Sequence, residues 1–315
     1  MLYQFEFRTY QRKFKRPLQT SHGIWEIRLG IILKLTDENG QFGWGEIAPL
    51  SWFGSESFEQ ALDFCNSLPA NISSETIFSI SAELPACQFG FESALSNEDN
   101  EEENNRYSGL LPAGETALSA VQMLWKQGYR TFKWKIGVIE QELNVFQQLV
   151  KAMDNLGDRE KALLRLDANG GLNYSQAETW LKTCDNVLEI PNFSVKIEFL
   201  EQPLPVTQFE EMLELSAAYA TPIALDESVA NLDRIQECYD QGWRGIFVIK
   251  PAIAGSPSQL RKFCQTHNID AVFSSVFETQ IGRQAALNLA TELFPNSRAL
   301  GFGTDCWFDE NQETW

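Results

Sequence analysis

Residues 131–136 read Thr-Phe-Lys-Trp-Lys-Ile, and residues 163–167 read Leu-Leu-Arg-Leu-Asp. In the first run a period of two sends Phe132, Trp134 and Ile136 to one face and Lys133 and Lys135 to the other, the alternation of a strand. The second run is apolar and closes on Asp167, with Arg165 two positions earlier on the same face. This pattern recurs downstream: 197–201 ends at Glu201, 223–226 at Asp226 and 245–250 at Lys250. Further short apolar runs stand at 108–112, 270–274 and 299–303, with a helical stretch between each neighbouring pair. Repeated strand–helix units give parallel strands with helices outside, and eight of them in about 200 residues is the size of a TIM-like (β/α) barrel. An open doubly wound sheet is the alternative, but no Gly-rich dinucleotide or phosphate-binding fingerprint follows any of the runs.

Upstream of the barrel the pattern is less regular. Tyr3, Phe5 and Phe7 alternate, 30–35 is an apolar run, and 41–47 carries Gly43-Trp44-Gly45 into another strand. Residues 57–68 read as a helix capped by Ser57. The fold class expected is therefore α/β, a TIM-like barrel over 106–304 with an N-terminal α+β capping domain over 1–95. Five acidic residues among asparagines over 97–105 read as a solvated linker, placed at 96–105. The tail, 305–315, is expected to return to the capping domain.

Composition narrows the function classes. The chain has 315 residues, 43% apolar and 22% charged, which argues for a folded protein larger than one small core. Its formal charge of −18 repels phosphate backbones and anionic lipid, so neither nucleic acid nor membrane is an expected partner, and no obligate protein partner is evident. Without an apolar run able to span a bilayer or an apolar leader, the chain reads as cytoplasmic. Six scattered cysteines with no C-x-x-C pair predict reduced thiols, and two histidines, His22 and His267, leave a triad or a His-rich metal site short of parts. His22 reads as structural.

Chemistry must then rest on carboxylates and lysines at the strand ends, where such barrels carry their sites. The separations from Lys135 to Asp167 (32), to Glu201 (34), to Asp226 (25) and to Lys250 (24) are each about one βα unit, so one charged residue recurs at the same level of successive strands. Taken singly, each acid is more plausibly a helix cap or a loop residue, Lys133 and Lys135 could lie on a polar sheet edge, and Arg165 could neutralise a carboxylate as well as bind substrate. Five in register are hard to reconcile with that. Three carboxylates in one mouth repel unless a cation sits among them, and an all-oxygen set suits Mg²⁺ or Mn²⁺. Strands two and six lie opposite in a ring of eight, so Lys135 and Lys250 should face each other across the mouth. Lys133 and the metal would push Lys135 towards a usable general base. A small-molecule carboxylate fits between them, and the implied reaction is proton abstraction beside that carboxylate. Trp52 and Phe53, after Pro49, look suited to line an apolar pocket, with 21–25 as a possible cover. A glycosidase pair at Asp167 and Glu201 would need neither the third carboxylate nor facing lysines, and a Schiff-base enzyme could use Lys250.

These residues carry a family resemblance. The Lys-x-Lys strand, Leu-Asp-Ala-Asn at 166–169, Glu-Gln-Pro at 201–203, Asp-Glu-Ser at 226–228 and Ile-Lys-Pro at 249–251 resemble the enolase superfamily in its muconate-lactonizing subgroup. The short chain, Arg165 before Asp167, and 44–53, Trp-Gly-Glu-Ile-Ala-Pro-Leu-Ser-Trp-Phe, are similar to the o-succinylbenzoate synthase family within it. The resemblance implies Mg²⁺, with Mn²⁺ as a substitute, on Asp167, Glu201 and Asp226. It implies Lys135 as base and then acid, Lys250 as the stabilising cation, and Ser274 and Ser275 on the succinyl end. Asn169 and Glu227 would support the ligands from behind. The implied activity is syn dehydration of 2-succinyl-6-hydroxy-2,4-cyclohexadiene-1-carboxylate to 2-succinylbenzoate through an enediolate, in menaquinone or phylloquinone biosynthesis. N-acylamino acid racemases and dipeptide epimerases share the subgroup. The epimerases' Asp-x-Asp is replaced here by Gly303-Thr304-Asp305-Cys306.

Overall fold

The computed structural model describes residues 1–20, 23–95, 107–137, 142–156, 161–191, 193–295, 298–304 and 307–308. The acidic stretch 97–105, His22, Asp305 and Cys306 lie outside them.

Four antiparallel strands, β1 (Leu2–Thr20), β2 (Gly23–Thr36), β3 (Phe42–Ile47) and β4 (Asn71–Ser73), pair in the order β3-β2-β1-β4. Period two puts Phe5, Ile31, Leu33 and Leu35 into the core under helices α1 (Phe58–Ser67), α2 (Ser74–Phe78) and α3 (Pro85–Ser93). The Ser57 side chain accepts from Gln60 N and the Gln60 side chain answers at Ser57 N, the capping box that starts α1. β1 and β2 form a hairpin far longer than their apolar alternation announces, pairing out to Thr20 and Gly23. Its register slips between Lys13 and Leu18, where Pro17 has no N–H for the ladder.

The second sheet is parallel: β5 (Ser108–Leu111), β6 (Thr131–Lys135), β7 (Ala162–Asp167), β8 (Val195–Glu201), β9 (Ile223–Leu225), β10 (Ile246–Ile249) and β11 (Asp270–Phe273), neighbours in that order. Helices α4 (Thr116–Lys126), α5 (Glu142–Asp154), α6 (Tyr174–Leu188), α7 (Phe209–Ala218), α8 (Leu232–Asp240), α9 (Pro251–Ala254), α10 (Pro257–Thr266) and α11 (Gln280–Leu293) alternate with them. The run expected as an eighth strand over 299–303 contributes only two bridging residues. Leu300 bridges Tyr107 and Gly301 bridges Ser274, and Ser108 N donates to Leu300 O at 2.9 Å while Gly301 N donates to Phe273 O at 2.7 Å. The sheet thus curls round as a TIM-like ring closed by a minimal eighth member. A Cβ at Gly301 would stand 2.7 Å from Ser274 Oγ, so only glycine lets the closing segment approach.

Inside the ring Phe199, Ala224, Ile246, Val248 and Val272 form a separate buried cluster. Phe132 and Trp134 point out to the helices, as their alternation predicts, and Trp134 meets Trp180 of α6 edge-on. Glutamates of the N-terminal part fasten it to the barrel. Glu46 of β3 is fully buried and accepts from Thr279 N and Gly282 N, both at 2.9 Å, at the start of α11. Glu92 accepts from Ser258 N at the start of α10. Both exploit the unpaired donors and positive end of a helix N-terminus. Trp307 and Phe308 pack on Phe14 of the hairpin. Among the described residues no helix is long and apolar enough to cross a membrane.

Candidate active site

The strand register places the charged ends as the spacing predicts. Lys135, Asp167 and Glu201 are consecutive Cα partners across β6, β7 and β8, and Glu201 continues to Ala224 of β9, two residues before Asp226. Lys250 follows β10, four strands from β6. Asp167, Glu201 and Asp226 are all buried, on the C-terminal rim of the sheet.

Two lysines hold these acids. Lys133 Nζ lies 2.8 Å from Asp167 Oδ2 and 2.8 Å from Glu201 Oε1. Lys250 Nζ is hydrogen-bonded to Asp226 Oδ1. Burial pulls the Lys133 ammonium down, but Asp167, Glu201 and Asp226 outweigh it and hold the group protonated well above its ordinary range. Glu201 is pushed up to about 8 by burial and by Asp167, with Lys133 opposing. Among the described residues no three acids, cysteines or histidines converge as a ready-made ligand cluster, because the carboxylates are turned onto the ammonium groups. The donor set nevertheless fits a hard divalent ion: three buried carboxylates on adjacent strands, carrying more negative charge than burial tolerates unaided.

Lys135 stands apart. It points to the same face as Lys133, is partly buried, and makes no hydrogen bond or ion pair among the described residues. One lysine of the pair is therefore tied to the carboxylates and the other is not.

Asn169 and Glu227 sit behind the acids. Asn169 N donates to Asp167 Oδ1 at 3.0 Å, and Asn169 Nδ2 donates to Glu227 Oε1 at 3.2 Å. Burial, then Asp226 and Asp167, push Glu227 up to about 7. Asp226 precedes a short helical turn but makes no capping bond with its side chain, so the ordinary explanation of an acid at a strand end does not apply. Two non-glycine residues beside the acids adopt left-handed backbone, Asn169 at φ 44° and Gln202 at φ 36°, a cost that clusters at functional sites.

Gln202 was not singled out from the sequence, although it stands inside the Glu-Gln-Pro motif. Its Oε1 accepts from Asp226 N at 3.0 Å and Ser228 N at 3.1 Å, and its Nε2 donates to Leu204 O and Ser228 Oγ. It thereby ties the end of β8 to the end of β9. Only the three-dimensional neighbour relation reveals this, since an isolated glutamine carries no such signal.

Arg165 lies one layer below the acids and is not brought to them. Its Nε donates to Glu198 Oε2 at 2.7 Å, and its guanidinium lies over the Phe199 ring. The β7–β8 register skips at this level, which turns Glu198 inward between Arg165 and Arg298. Of the two roles read for Arg165, its contacts are those of a carboxylate partner. Ser274 and Ser275 follow β11; Ser275 Oγ donates to Glu278 Oε2 at 3.0 Å and accepts from Phe277 N at 2.9 Å. Trp52 is 40% exposed and meets Trp25 edge-on at 4.9 Å, while Phe53 lies over Lys250. Of the predicted covering stretch 21–25, Ser21 and His22 lie outside the described residues, and Trp25 packs on Phe14 and Phe277.

Residues 115–312 match the family model described as enolase C-terminal domain-like, and residues 9–98 match that described as MenC, N-terminal domain. An o-succinylbenzoate synthase of Thermosynechococcus vestitus is 38% identical over 96% of this chain and 93% of its own length. The chain belongs to the o-succinylbenzoate synthase family of the enolase superfamily. Another family member, from Aliivibrio salmonicida, is 31% identical over 86% of this chain and 81% of its own. The crystal structure of the synthase from Thermosynechococcus elongatus, complexed with Mg in the active site, superposes with a TM-score of 0.88 at 37% identity, covering 99% of this chain and 96% of that one. The L-Ala-D/L-Glu epimerase of Bacillus subtilis, at 20% identity and TM-score 0.76 over 96% and 89% of the two chains, shares the fold.

Proposed function

We infer that this chain is an o-succinylbenzoate synthase, which removes water from 2-succinyl-6-hydroxy-2,4-cyclohexadiene-1-carboxylate to give 2-succinylbenzoate in menaquinone or phylloquinone biosynthesis. The observation that carries the reading is the placement of lysines on opposite sides of three buried carboxylates, in a chain 38% identical to a curated synthase over nearly its whole length.

In this reading Asp167, Glu201 and Asp226 hold Mg²⁺, with Mn²⁺ as a substitute. A cation held by these carboxylates would supply positive charge for the substrate carboxylate and for the negative charge that builds on it when the adjacent proton leaves. Lys135, untethered and level with Asp167, takes that proton on its neutral Nζ. The electron pair left behind moves onto the carboxylate as the enediolate, and from there returns towards the ring. As the carbon–oxygen bond to the ring hydroxyl breaks, the same Nζ returns the proton to the departing oxygen, so water leaves and the ring becomes aromatic. Lys133, fixed on Asp167 and Glu201, remains a cation beside Lys135. Lys250 stays positive on the opposite side. Ser274 and Ser275 sit at the succinyl end, and Trp52 and Phe53 cover the ring. Arg165 supports β7 from below through Glu198. Residues 1–95 act as a cap that keeps water from the enediolate.

The test is incubation of the purified chain with the cyclohexadiene carboxylate and Mg²⁺, following the aromatic product by ultraviolet absorbance. A parallel incubation with an N-succinylamino acid reads racemisation by polarimetry. Absence of aromatic product, with racemisation present, would replace dehydration by the racemase reading.

A further inference from the structure

The cap reaches the barrel lysine through one ring. Lys250 Nζ lies 3.9 Å from the centroid of Phe53, although the two residues belong to different sheets' connections and stand 197 positions apart. Phe53 ends the short turn Ser51–Phe53, and that turn is fixed from both sides. On the cap side the buried Arg28 donates to Ala48 O at 2.5 Å and to Pro49 O at 2.8 Å, and Leu50 N donates to Ser55 Oγ at 2.7 Å. On the barrel side Asn231 Nδ2 donates to Gly54 O at 3.4 Å, and Gly54, at φ 116°, leaves no room for a side chain against Ala230. The ring is thus held over the ammonium by contacts that do not involve Lys250.

We propose that Phe53 is a positioning residue for the reaction, holding the Lys250 ammonium in place by a cation–π contact supplied from the cap. The proposal deepens the synthase reading and rests on Lys250 acting there as a cation. Lysine is a long flexible chain, and its other partner among the described residues is Asp226, a carboxylate assigned to a divalent ion in that reading. A carboxylate that shares its charge with such an ion pulls less on the ammonium. An aromatic face keeps its attraction, attracts a cation without being a proton acceptor, and is available only when the cap is seated on the barrel. Closure of the cap and placement of the catalytic cation are then one event.

The experiment compares the wild-type enzyme with Phe53→Leu, Phe53→Tyr and a series carrying 4-fluoro-, 3,5-difluoro- and pentafluorophenylalanine at position 53, all with Mg²⁺. Turnover by the wild type is measured first, and its absence would sink the synthase reading before any variant is made. Given turnover, Phe53→Leu, close in size but without a π face, should lower kcat about fivefold to thirtyfold with KM changed less than about threefold. Phe53→Tyr should stay within about threefold of wild type in kcat. Across the fluorinated rings kcat should fall stepwise as the ring face loses its negative potential at nearly constant shape, a trend that a purely structural or apolar role would not produce. A flat fluorinated series, or a loss confined to KM, would overturn the proposal and leave Phe53 with the substrate-covering role alone. The fluorinated series also decides the matter if Phe53→Leu fails to fold.

Discussion

Replacing Glu46 should uncouple the cap from the barrel in two graded steps. Its carboxylate accepts from Tyr10 OH at 2.5 Å, from Thr279 Oγ1 at 2.5 Å, and from Thr279 N and Gly282 N at 2.9 Å. The Thr279 and Gly282 contacts are buried and the Tyr10 contact partly so, and burial followed by the Glu46 charge drives the Tyr10 hydroxyl well above its ordinary pKa. In Glu46→Gln the shape persists, and the two hydroxyls can rotate to meet an amide, but the charge at the N-terminus of α11 is gone; the expected cost is about 2 kcal/mol. In Glu46→Ala the backbone donors of Thr279 and Gly282 are left buried without a partner as well, raising the cost to about 4 kcal/mol. For a chain of this size 1 kcal/mol moves the melting temperature by about 2 °C, so the falls should be about 4 °C and about 8 °C. Thermal unfolding followed by circular dichroism measures them, and turnover measured alongside should drop in the alanine variant, because the displaced segment begins at Ser275. A Glu46→Ala protein melting within about 1 °C of wild type would refute the view that this glutamate carries the joint.

Removing metal with excess chelator should abolish turnover and Mg²⁺ or Mn²⁺ should restore it, while Asp167→Asn should lose metal affinity by calorimetry yet keep its fold. Glu201, raised to about 8, holds a proton in the metal-free fold that the unfolded chain has lost above its ordinary carboxylate range. Metal-free stability should therefore fall as pH rises towards about 8, and the melting-temperature gain on adding Mg²⁺ should be larger at the upper end of that window than at the lower; equal gains at both ends would contradict the assignment. Lys135→Arg should abolish dehydration, whereas Lys250→Arg should retain a measurable fraction and exceed Lys250→Ala, because arginine keeps charge but cannot act as a base at ordinary pH. Near wild-type turnover in Lys135→Arg would overturn its role. Deleting residues 1–95 should destroy activity, and normal turnover by the remaining barrel would exclude a closing role for the cap.

The parallel sheet and its charged rim were legible because a strand in such a barrel is short, apolar and ends at the site, so Lys135, Asp167, Glu201, Asp226 and Lys250 announce themselves by position alone. Helix α1 was legible through Ser57 and Gln60, whose capping chemistry is local. What escaped is non-local. The tip of the β1–β2 hairpin is polar and carries Pro17, and nothing within 8–20 shows that Phe14 will find Phe277 at the barrel mouth. The closing run at 299–303 has the composition of a strand, but it pairs through only two bridges, where glycines at 301 and 303 allow a close approach to Ser274 and Ser108. Arg165 looked equally apt for substrate or for a neighbouring acid, and its pairing with Glu198 depends on a one-residue register skip that no sequence pattern announces.

The two lysines of the Lys-x-Lys strand show why the pattern needs both. At period two they share a face, yet Lys133 reaches two carboxylates at 2.8 Å while Lys135, one step nearer the rim, reaches none among the described residues. A single lysine could not both neutralise the acids and remain available to carry a proton. On the other side Lys250 combines an acid and an aromatic face, contacts that suit a group required to stay charged and still. Racemisation needs a proton carrier on each face of the carbon, whereas a syn elimination needs a carrier on one face and a fixed positive charge on the other. In the synthase reading, one untethered lysine opposite one paired lysine matches the second requirement.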